Sequence, residues 1–541
     1  MDPEAPNILH THSQRADWSR TNEKGVFPGV ATPLNWSIWG EIGERSVRRA
    51  ACDLGLLAEH EIELPDSVDD WMWSIFYGRP AANVGSWRAL YERGLTKAGA
   101  GEAAQHQVFG AAAGGTPARA AIDRRAEVAS RRPEVVAAAP ERLSSLRSEA
   151  EVWWRAATRA PALADPGRCR THFAEALDWF ERADREHIVV SLLATQAVTE
   201  ISTAAERAGL PEAANALMVG YPGMEEFQTV VALWDLSRGR LGLDEFLGGH
   251  GFHGSQEGEI ASHSWREVPD PVLRLAQRYE SLHEDDDPRQ REERSVQTRA
   301  TLEAELRAAV AAAERAALDD ALARAAVFLP LREAGRATLT IALDAMRATS
   351  RVLGNEFALA GLLASPDDVF LLTRHELLEP PANLERRVNE RRGLRDIYQG
   401  FELPETWRGM PEKQPIRDGD REPADRQQRI LGRGARLEGL GASAGIHEGI
   451  ARVVLDSSQL AQDFDPGDVL VAPATDPSWA PLFLVAGAVV IDTGSNISHA
   501  AVVAREMGIP AVVSARDASR RLRSGQRLRV DGSAGTVEVI A

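Results

Sequence analysis

Two stretches in the middle of the chain repeat apolar residues at helical spacing. Residues 171–209 contain no proline or glycine before Gly209, which is typical of a helix end. Residues 301–328 are rich in Ala, Leu, Glu and Arg, and we expect Pro330 to end that helix before another one reaches Gly354. The second helix has a face formed by Leu339, Leu343, Met346 and Ser350. The chain from 141 to 377 is therefore predicted to be helical.

After residue 435 the pattern changes to short β-branched runs separated by turn residues. Runs of this kind predict strands, and they lie at 450–455, 469–472, 488–491, 511–514, 527–530 and 536–540. Helical stretches at 479–486 and 499–507 alternate with them. Residues 406–435 are crowded with proline, glycine and charge, as in a flexible linker. We predict a multidomain protein, with a mainly α-helical substrate-binding domain at 1–405 and an α/β domain at 436–541.

Aromatic residues cluster in the first hundred positions, among them Trp18, Trp71, Trp73 and Phe76. Mixed with Gly and Pro, they predict short helices and loops around a pocket or core rather than a regular sheet. Residues 99–140 are predicted to be loosely packed helix and loop. Within the aromatic segment, Trp36 and Trp39 are candidate walls for an aromatic substrate, although such residues more often belong to a core.

Charge and cysteine content narrow the class of protein. The 541 residues include 62 Lys and Arg against 80 Asp and Glu, a formal net charge of −18. That balance argues against sequence-independent binding of nucleic acid or an anionic membrane. The cysteines, Cys52 and Cys169, are too few for a disulfide framework. The most apolar run noted, residues 481–491, is too short to span a bilayer. We expect a soluble cytoplasmic protein.

The candidate chemistry centres on His499. Residues 491–513 have the pattern of strand, loop, helix, turn and strand, and His499 opens the helix. Free N–H groups and the positive end of the helix dipole favour an anion there, and neutral imidazole is a nucleophile near neutral pH. Ser498 is the predicted N-cap and Thr493 a possible partner that orients the ring. The plain alternative is a histidine that only caps a helix.

The residues around His499 resemble the swivelling phosphohistidine domain of the phosphoenolpyruvate-utilising enzymes. Ser495 stands where a second Gly is expected, and Ile497 where several members have Thr. The positions that keep the pattern are Thr493, Gly494, Ser498, His499, Ala500, Ala501, Ala504, Arg505, Gly508, Pro510 and Ala511. The resemblance implies that His499 carries a phosphoryl group and that Thr493, Gly494, Ser498 and Arg505 support its loop.

Residues upstream are similar to the rifampicin phosphotransferase and phenylphosphate synthase branch of that family. Residues 246–267 resemble its Gly-His-Arg-Gly…Glu…Trp-Arg-Glu segment, with His253 where Arg is common. The resemblance includes neither the ATP-grasp domain nor the phosphoenolpyruvate-binding barrel. It therefore implies a separate ATP-grasp subunit that binds ATP and Mg²⁺ and phosphorylates His499, after which the carrier domain swings to the acceptor.

Further candidates lie in a Gly-rich loop that contains His250, His253, Glu257 and Glu259. Ionisable groups on flexible backbone suggest acid–base or substrate contact, and His253 or Glu257 is our candidate general base. A zinc site that adds His263 and plain loop hydrogen bonding are the alternatives; we expect no metal.

The remaining candidates are Arg332 and Arg336, which continue the apolar stripe of the helix after Pro330. By resemblance a basic pair at this spacing lies beside the transferred phosphate. The alternative is a surface pair that forms salt bridges with Glu333 or Asp319.

Together these features predict a dikinase subunit that transfers the phosphoryl group from His499 to a small phenolic hydroxyl. A phenol needs little activation, because its pKa is only about 10. The alternatives are a component that phosphorylates a rifamycin-type antibiotic and a carrier or sensor without catalysis.

Overall fold

The structure is a computed structural model that describes residues 7–21, 23–95, 122–210, 213, 216–415, 430–455, 464–494 and 498–541. Its helices, in chain order, are α1 (Glu23–Val26), α2 (Pro33–Asp53), α3 (Val84–Glu92), α4 (Arg125–Ala157), α5 (Ala160–Leu163), α6 (Pro166–Arg207), α7 (Glu225–Ser237), α8 (Leu243–His250), α9 (Asp270–Glu280), α10 (Pro288–Ala309), α11 (Arg315–Leu359), α12 (Arg374–Leu378), α13 (Leu384–Gln399), α14 (Ala480–Val485), α15 (His499–Met507) and α16 (Ala518–Arg521).

The strands follow the same order. They are β1 (Asp17–Ser19), β2 (Trp73–Phe76), β3 (Arg79–Asn83), β4 (Phe401–Glu402), β5 (Thr406–Arg408), β6 (Gln414–Pro415), β7 (Arg436–Glu438), β8 (Leu440–Ser443), β9 (Ile446–Val453), β10 (Val469–Ala472), β11 (Ala488–Ile491), β12 (Ala511–Val513), β13 (Arg527–Asp531) and β14 (Thr536–Val539).

The chain divides into two compact units. The first consists of Met1–Leu192, Glu257–His263 and Ala334–Ile416, and the second of Leu193–Gln256, Ser264–Glu333 and Arg417–Ala541. The predicted carrier segment 436–541 lies within the second unit, together with helical segments from the middle of the chain. The predicted boundaries at 405 and 436 stay predictions, and the middle of the linker, residues 416–429, lies outside the described residues.

The early aromatic residues of the first unit form an antiparallel sheet, so the prediction of helices and loops without regular sheet was wrong. The strands pair in the order β2-β3-β1-β5. The hairpin between β2 and β3 turns through Tyr77 (φ 47°) and Gly78 (φ 72°). A two-residue turn with both φ values positive matches the twist of the strands, but Tyr is an unusual residue there. Trp18 and Phe76 are fully buried in the resulting core.

Helices in the middle of the chain are longer and more regular than predicted. α4 begins at Arg125, so residues 125–140 of the predicted segment 99–140 are helical. Residues 99–121 of that segment lie outside the described residues. α11 continues through Pro330. The break between the two helices comes earlier in the chain, at Val310, which adopts an extended conformation after the end of α10. A proline inside a helix loses one hydrogen bond. Burial of Phe328 and Leu329 beside Pro330 helps to offset that loss.

The apolar stripe predicted along α11 is confirmed, because Leu339, Leu343, Met346 and Ser350 are all buried. One other helix, α6, is long and apolar enough to cross a membrane by length and composition, which the sequence analysis missed. Since 67% of its most apolar window is buried inside the protein, it has the character of a core helix.

The described strands of the second unit form a mixed sheet in the order β7-β14-β13-β9-β10-β11-β12-β8. Strands β9 to β12 are parallel neighbours, and the outer pairs are antiparallel. Val469, Val471, Val490 and Val512 are completely buried. The predicted strands and the mainly helical-plus-α/β fold class are confirmed. The sequence analysis missed β7 and β8, which are short and include a Gly in β8.

Within the second unit, the sheet-bearing segment packs on α7, α9 and α10. The Tyr279 hydroxyl on α9 donates to the Pro481 carbonyl at 2.6 Å. On α10, Arg291 donates to the carbonyl of Met507 at 3.1 Å. The backbone N–H of Gln256 donates to Asp476 Oδ2 at 3.1 Å. These contacts hold α14 and the end of α15 against the helices from the middle of the chain.

Candidate phosphohistidine site

His499 lies at the carboxyl edge of the parallel strands. β10 and β11 are hydrogen-bonded in parallel, so the loops that follow them meet at one edge of the sheet. Thr475 comes from the first loop, and His499 is the first residue of α15 at the end of the second. Ser498 is the N-cap residue, as predicted. The backbone N–H groups of the first turn and the helix dipole favour negative charge at this position.

The His499 ring has a polar neighbour on each side. Its Nδ1 lies 3.4 Å from the Thr475 hydroxyl, and its Nε2 lies 3.9 Å from Oε1 of Glu226 on α7. The His499 and Glu226 side chains are each only 8% exposed. Phe483 contacts the ring in an edge-to-face arrangement, with centroids 6.4 Å apart. The ring is therefore enclosed, and a buried carboxylate lies on its Nε2 side.

The loop before His499 depends on Gly494. Its φ of +125° is a conformation that L side chains rarely adopt, and an added Cβ would lie 2.9 Å from the Ser498 hydroxyl. Ser514 donates to the Gly494 carbonyl at 2.7 Å. Thr493 donates to the Pro473 carbonyl at 3.0 Å, so the hydroxyl observed beside the ring belongs to Thr475. The departures from the family pattern at Ser495 and Ile497 lie outside the described residues.

Arg505 lies in the last turn of α15 and holds that end of the helix against the sheet. Its Nε donates to the Ala442 carbonyl on β8 at 2.6 Å, and burial lowers the pKa of its guanidinium to about 10. The contact ties α15 to the sheet. The predicted support of the loop before His499 by Arg505, and any role of this residue in phosphoryl chemistry, stay predictions.

Glu506, the next residue, connects α15 to the helical part of the second unit. Its carboxylate accepts one bifurcated hydrogen bond from the backbone N–H of Gly220, with the two oxygens 3.1 and 3.2 Å from the nitrogen. Burial raises the pKa of Glu506 to about 7, although the Gly220 bond acts in the opposite direction. The sequence analysis did not single out this residue.

We expect Glu506→Gln to stabilise the protein at pH 8 but not at pH 4.5. A carboxyl whose pKa is higher in the folded state than in the unfolded state destabilises the fold progressively as pH rises between the two values, here from about 4.5 to about 7. Glutamine removes the buried charge and keeps an acceptor for Gly220. The gain in unfolding free energy at pH 8 should be on the order of 2–3 kcal/mol. Thermal unfolding at both pH values checks this, with the exposed Glu448→Gln as control. An equal change in the unfolding temperature of Glu506→Gln at both pH values would contradict this prediction.

The predicted pair His250 and His253 forms a cluster with two residues of α7. His250 ends α8, and His253 is 3% exposed. The Thr229 hydroxyl lies 3.1 Å from His250 Nδ1 and 3.5 Å from His253 Nε2. Glu225 completes the cluster, whose three candidate ligand atoms all lie within 4.8 Å of one another. The structure thus brings His250 and His253 together in the second unit, which also contains His499.

The other loop candidates, Glu257 and Glu259, belong to the first unit. The Glu259 carboxylate accepts from the Thr32 hydroxyl at 2.6 Å and from the Thr32 N–H at 3.0 Å. Buried Arg347 donates to the backbone carbonyls of Glu257 and Glu259. These contacts hold the loop against α2 and α11, and a role for Glu257 or Glu259 in catalysis or binding stays a prediction.

The candidate aromatic walls are packed inside the first unit. Trp36 is 9% exposed and belongs to the core that includes Trp18. Trp39 donates its indole N–H to the Gly258 carbonyl at 3.1 Å and packs edge-to-face on Phe180. These contacts agree with the core interpretation of both residues, and a substrate contact stays a prediction.

The basic pair is divided between the units. Arg332, in the second unit, donates from Nε and Nη2 to Oε1 of the buried Glu333, at 2.9 and 2.6 Å. That is one of the salt bridges named in the surface-pair alternative. Arg336 belongs to the first unit and is half-buried. The structure does not by itself assign either residue to the transferred phosphate.

The sequence analysis missed Glu225, Glu226 and Thr475. Two acidic residues in the first turn of a helix ordinarily complement the helix dipole, so the pair gave no distinct signal. Thr475 lies between the predicted strand at 469–472 and the predicted helical stretch at 479–486, and nothing beside it in the sequence marked it as a neighbour of His499.

Comparison with known proteins assigns two parts of the chain. The family described as PEP-utilising enzyme, mobile domain, matches residues 464–535, and the rifampicin phosphotransferase fourth domain matches residues 238–333. Rifampicin phosphotransferase of Streptomyces sviceus is 37% identical over 194 residues, 34% of this chain and 20% of that protein. Its counterpart in Bacillus subtilis is 35% identical over 182 residues, 33% of this chain and 20% of that protein.

A third relative is similar over a shorter stretch. A probable phosphoenolpyruvate synthase of Staphylothermus marinus is 49% identical over 102 residues, 19% of this chain and 12% of that protein. The chain spans about a fifth of the length of the rifampicin phosphotransferases that it matches. These matches confirm, over residues 238–333 and 464–535, the predicted similarity to the PEP-utilising enzymes and their rifampicin phosphotransferase branch.

Proposed function

We propose that this chain is a cytoplasmic phosphotransferase component in which His499 accepts a phosphoryl group derived from ATP and passes it to the hydroxyl of a small phenol. A separate ATP-grasp subunit binds ATP and Mg²⁺, transfers the β-phosphate to His499 and releases AMP and phosphate. The observation that supports this most is the enclosed His499 ring, with Glu226 of a neighbouring helix 3.9 Å from Nε2.

The geometry supports a specific transfer step. The acceptor oxygen attacks phosphorus, the P–N bond to His499 breaks, and the O–P bond forms. With a proton on Nδ1, next to the Thr475 hydroxyl, the ring leaves as neutral imidazole. Glu226 accepts the proton of the acceptor hydroxyl, because it is the carboxylate that faces Nε2. We propose Glu226 in this role in place of His253 or Glu257.

The other predicted residues have supporting roles in this proposal. Arg332, which lies in the same unit as His499, neutralises charge on the transferring group. His250 and His253, also in that unit, contact the acceptor, whereas roles for Arg336, Glu257, Glu259, Trp36 and Trp39 stay predictions. The phenolic acceptor rests on the resemblance to phenylphosphate synthase.

A second candidate acceptor is a rifamycin-type antibiotic. The match of residues 238–333 to the rifampicin phosphotransferase fourth domain favours it, as do the names of the relatives. The transfer chemistry at His499 is the same in both cases. The two candidates differ in the acceptor, a large natural product with an aliphatic hydroxyl instead of a single ring.

Reconstitution tests the proposed function. We expect the chain with an ATP-grasp protein of this family, ATP, Mg²⁺ and phenol to form AMP and phenyl phosphate in equal amounts. The chain by itself should not convert ATP to AMP at a steady rate. Mass spectrometry of the acceptor and chromatography of the nucleotides measure both products.

Each outcome separates the candidates. A phosphorylated rifamycin without phenyl phosphate would favour the antibiotic acceptor. Phosphohistidine that forms but is never passed to any acceptor would favour a carrier or sensor. Steady formation of AMP by the isolated chain would refute the separate ATP-grasp subunit.

A further inference from the structure

In place of the sequence-based expectation that the chain holds no metal, we propose that Glu225, His250 and His253 form a binding site for Zn²⁺ in the second unit. We call these residues the His-Glu cluster. The proposal goes beyond the phosphotransferase function and does not depend on it, because it concerns the affinity of the chain for a metal ion.

The backbone fixes the three ligands in different ways. Glu225 lies in the first turn of α7, one position before Glu226. His250 is the last residue of α8, and His253 follows three residues after it. The N–H of His253 donates to the His250 carbonyl at 3.2 Å, and the N–H of Trp265 donates to the His253 carbonyl at 2.6 Å. The two imidazoles are thus set by a hydrogen-bonded turn and not by a free loop.

The spacing of the ligand atoms is close to that of a metal site. One atom from each of the three residues lies within 4.8 Å of the other two. Zn–N and Zn–O distances of about 2.0–2.2 Å in tetrahedral geometry separate the ligand atoms by about 3.4 Å. Binding of the ion would draw the ligand atoms together by at most about 1.4 Å, through rotation of the side chains. The imidazole rings are also nearly parallel, 13° apart, with centroids separated by 6.4 Å.

The ligand types select the metal. Two imidazoles and one carboxylate are the protein ligands of many catalytic zinc sites, which leave a fourth position for water or substrate. Magnesium prefers oxygen ligands and is disfavoured by two ring nitrogens. The cluster therefore fits Zn²⁺, and Co²⁺ as its spectroscopic substitute, better than the Mg²⁺ that accompanies ATP.

The surroundings of the His-Glu cluster are those of an organised site. The Thr229 hydroxyl lies against both rings and can fix their orientation, as outer contacts do at metal centres. Aromatic side chains pack around the histidines: Phe252 lies 4.3 Å from the His253 ring, and Phe246 lies 5.3 Å from the His250 ring. His253 is buried, and Glu225 and His250 are half-buried, so the cluster is partly shielded from solvent.

Metal binding by the full chain, without a polyhistidine tag, tests the site. After chelator treatment and dialysis, we expect one Zn²⁺ per chain by calorimetry, with a dissociation constant below about 1 µM. Co²⁺ should give the intense visible absorption of a tetrahedral centre. The variants His250→Gln, His253→Gln and Glu225→Gln should each weaken Zn²⁺ binding at least 100-fold, and Thr229→Val should weaken it about 10- to 100-fold.

The control is His283→Gln, because the His283 side chain is 77% exposed and lies outside the cluster. It should bind Zn²⁺ like the parent chain. Far-ultraviolet circular dichroism in the presence of chelator checks that each variant is folded. If a histidine variant does not fold, the folded Glu225→Gln variant tests the site in its place. No Zn²⁺ bound up to 100 µM free metal, or unchanged affinity in the folded cluster variants, would overturn the proposal. Neither result depends on phosphoryl transfer.

Discussion

The variant His499→Asn should carry no phosphoryl group at all. Asparagine is polar, of similar size and favoured near helix starts, so α15 and its contacts should form normally. It lacks the ring nitrogen that attacks phosphorus, and the loss is therefore chemical rather than structural. We expect acid-labile, base-stable label from [β-³²P]ATP to disappear completely in the presence of the ATP-grasp partner.

The matched control for this experiment is His283→Asn. Its exposed side chain lies in the same unit, and labelling should remain at the level of the parent chain. Thermal unfolding of both variants establishes that they are folded. Label that persists in His499→Asn would mean that another residue carries the phosphoryl group.

The sequence was informative where a residue's environment follows from its neighbours along the chain. Val469, Val471, Val490 and Val512 lie in parallel strands buried on both faces, and such strands are short apolar runs of β-branched residues. The phosphohistidine motif was recognisable for the same reason. Its strand, Gly-containing loop and helix start are contiguous, so the local pattern specifies the position of His499.

The sequence was less informative where distant segments meet. Trp18 in β1 pairs with Asn83 and Trp407 across long sequence separations, so its place in a sheet left no local trace. Pro330 looked like a helix end because proline lacks the backbone N–H that a helix interior requires, and this is visible from the residue alone. The burial of its neighbours, which keeps the helix continuous there, depends on packing with distant segments. Glu226 lies 273 positions before His499, and only the fold brings the two side chains together.

The variant Glu226→Gln should separate the two half-reactions. Glutamine has the shape of glutamate but cannot accept the proton of the acceptor hydroxyl. Loss of a general base typically slows a reaction by about 10²–10⁴, and we expect transfer from phosphorylated His499 to phenol to fall about 10³-fold. Phosphorylation of His499 should survive, because that step depends on the ATP-grasp partner. A single-turnover assay measures the transfer to phenol. In this assay the chain is first labelled on His499, then freed of ATP and finally mixed with phenol.

The acidity of the acceptor distinguishes a base from a residue that only shapes the site. Nitrophenols ionise without help, so Glu226→Gln should slow their phosphorylation much less than that of phenol. A purely structural defect would slow all acceptors of similar size equally. Glu257→Gln and His253→Gln are the comparison variants, since both were base candidates on sequence grounds. If one of them shows this dependence on acceptor acidity and Glu226→Gln does not, the proton goes to that residue, and the carboxylate beside Nε2 has another role.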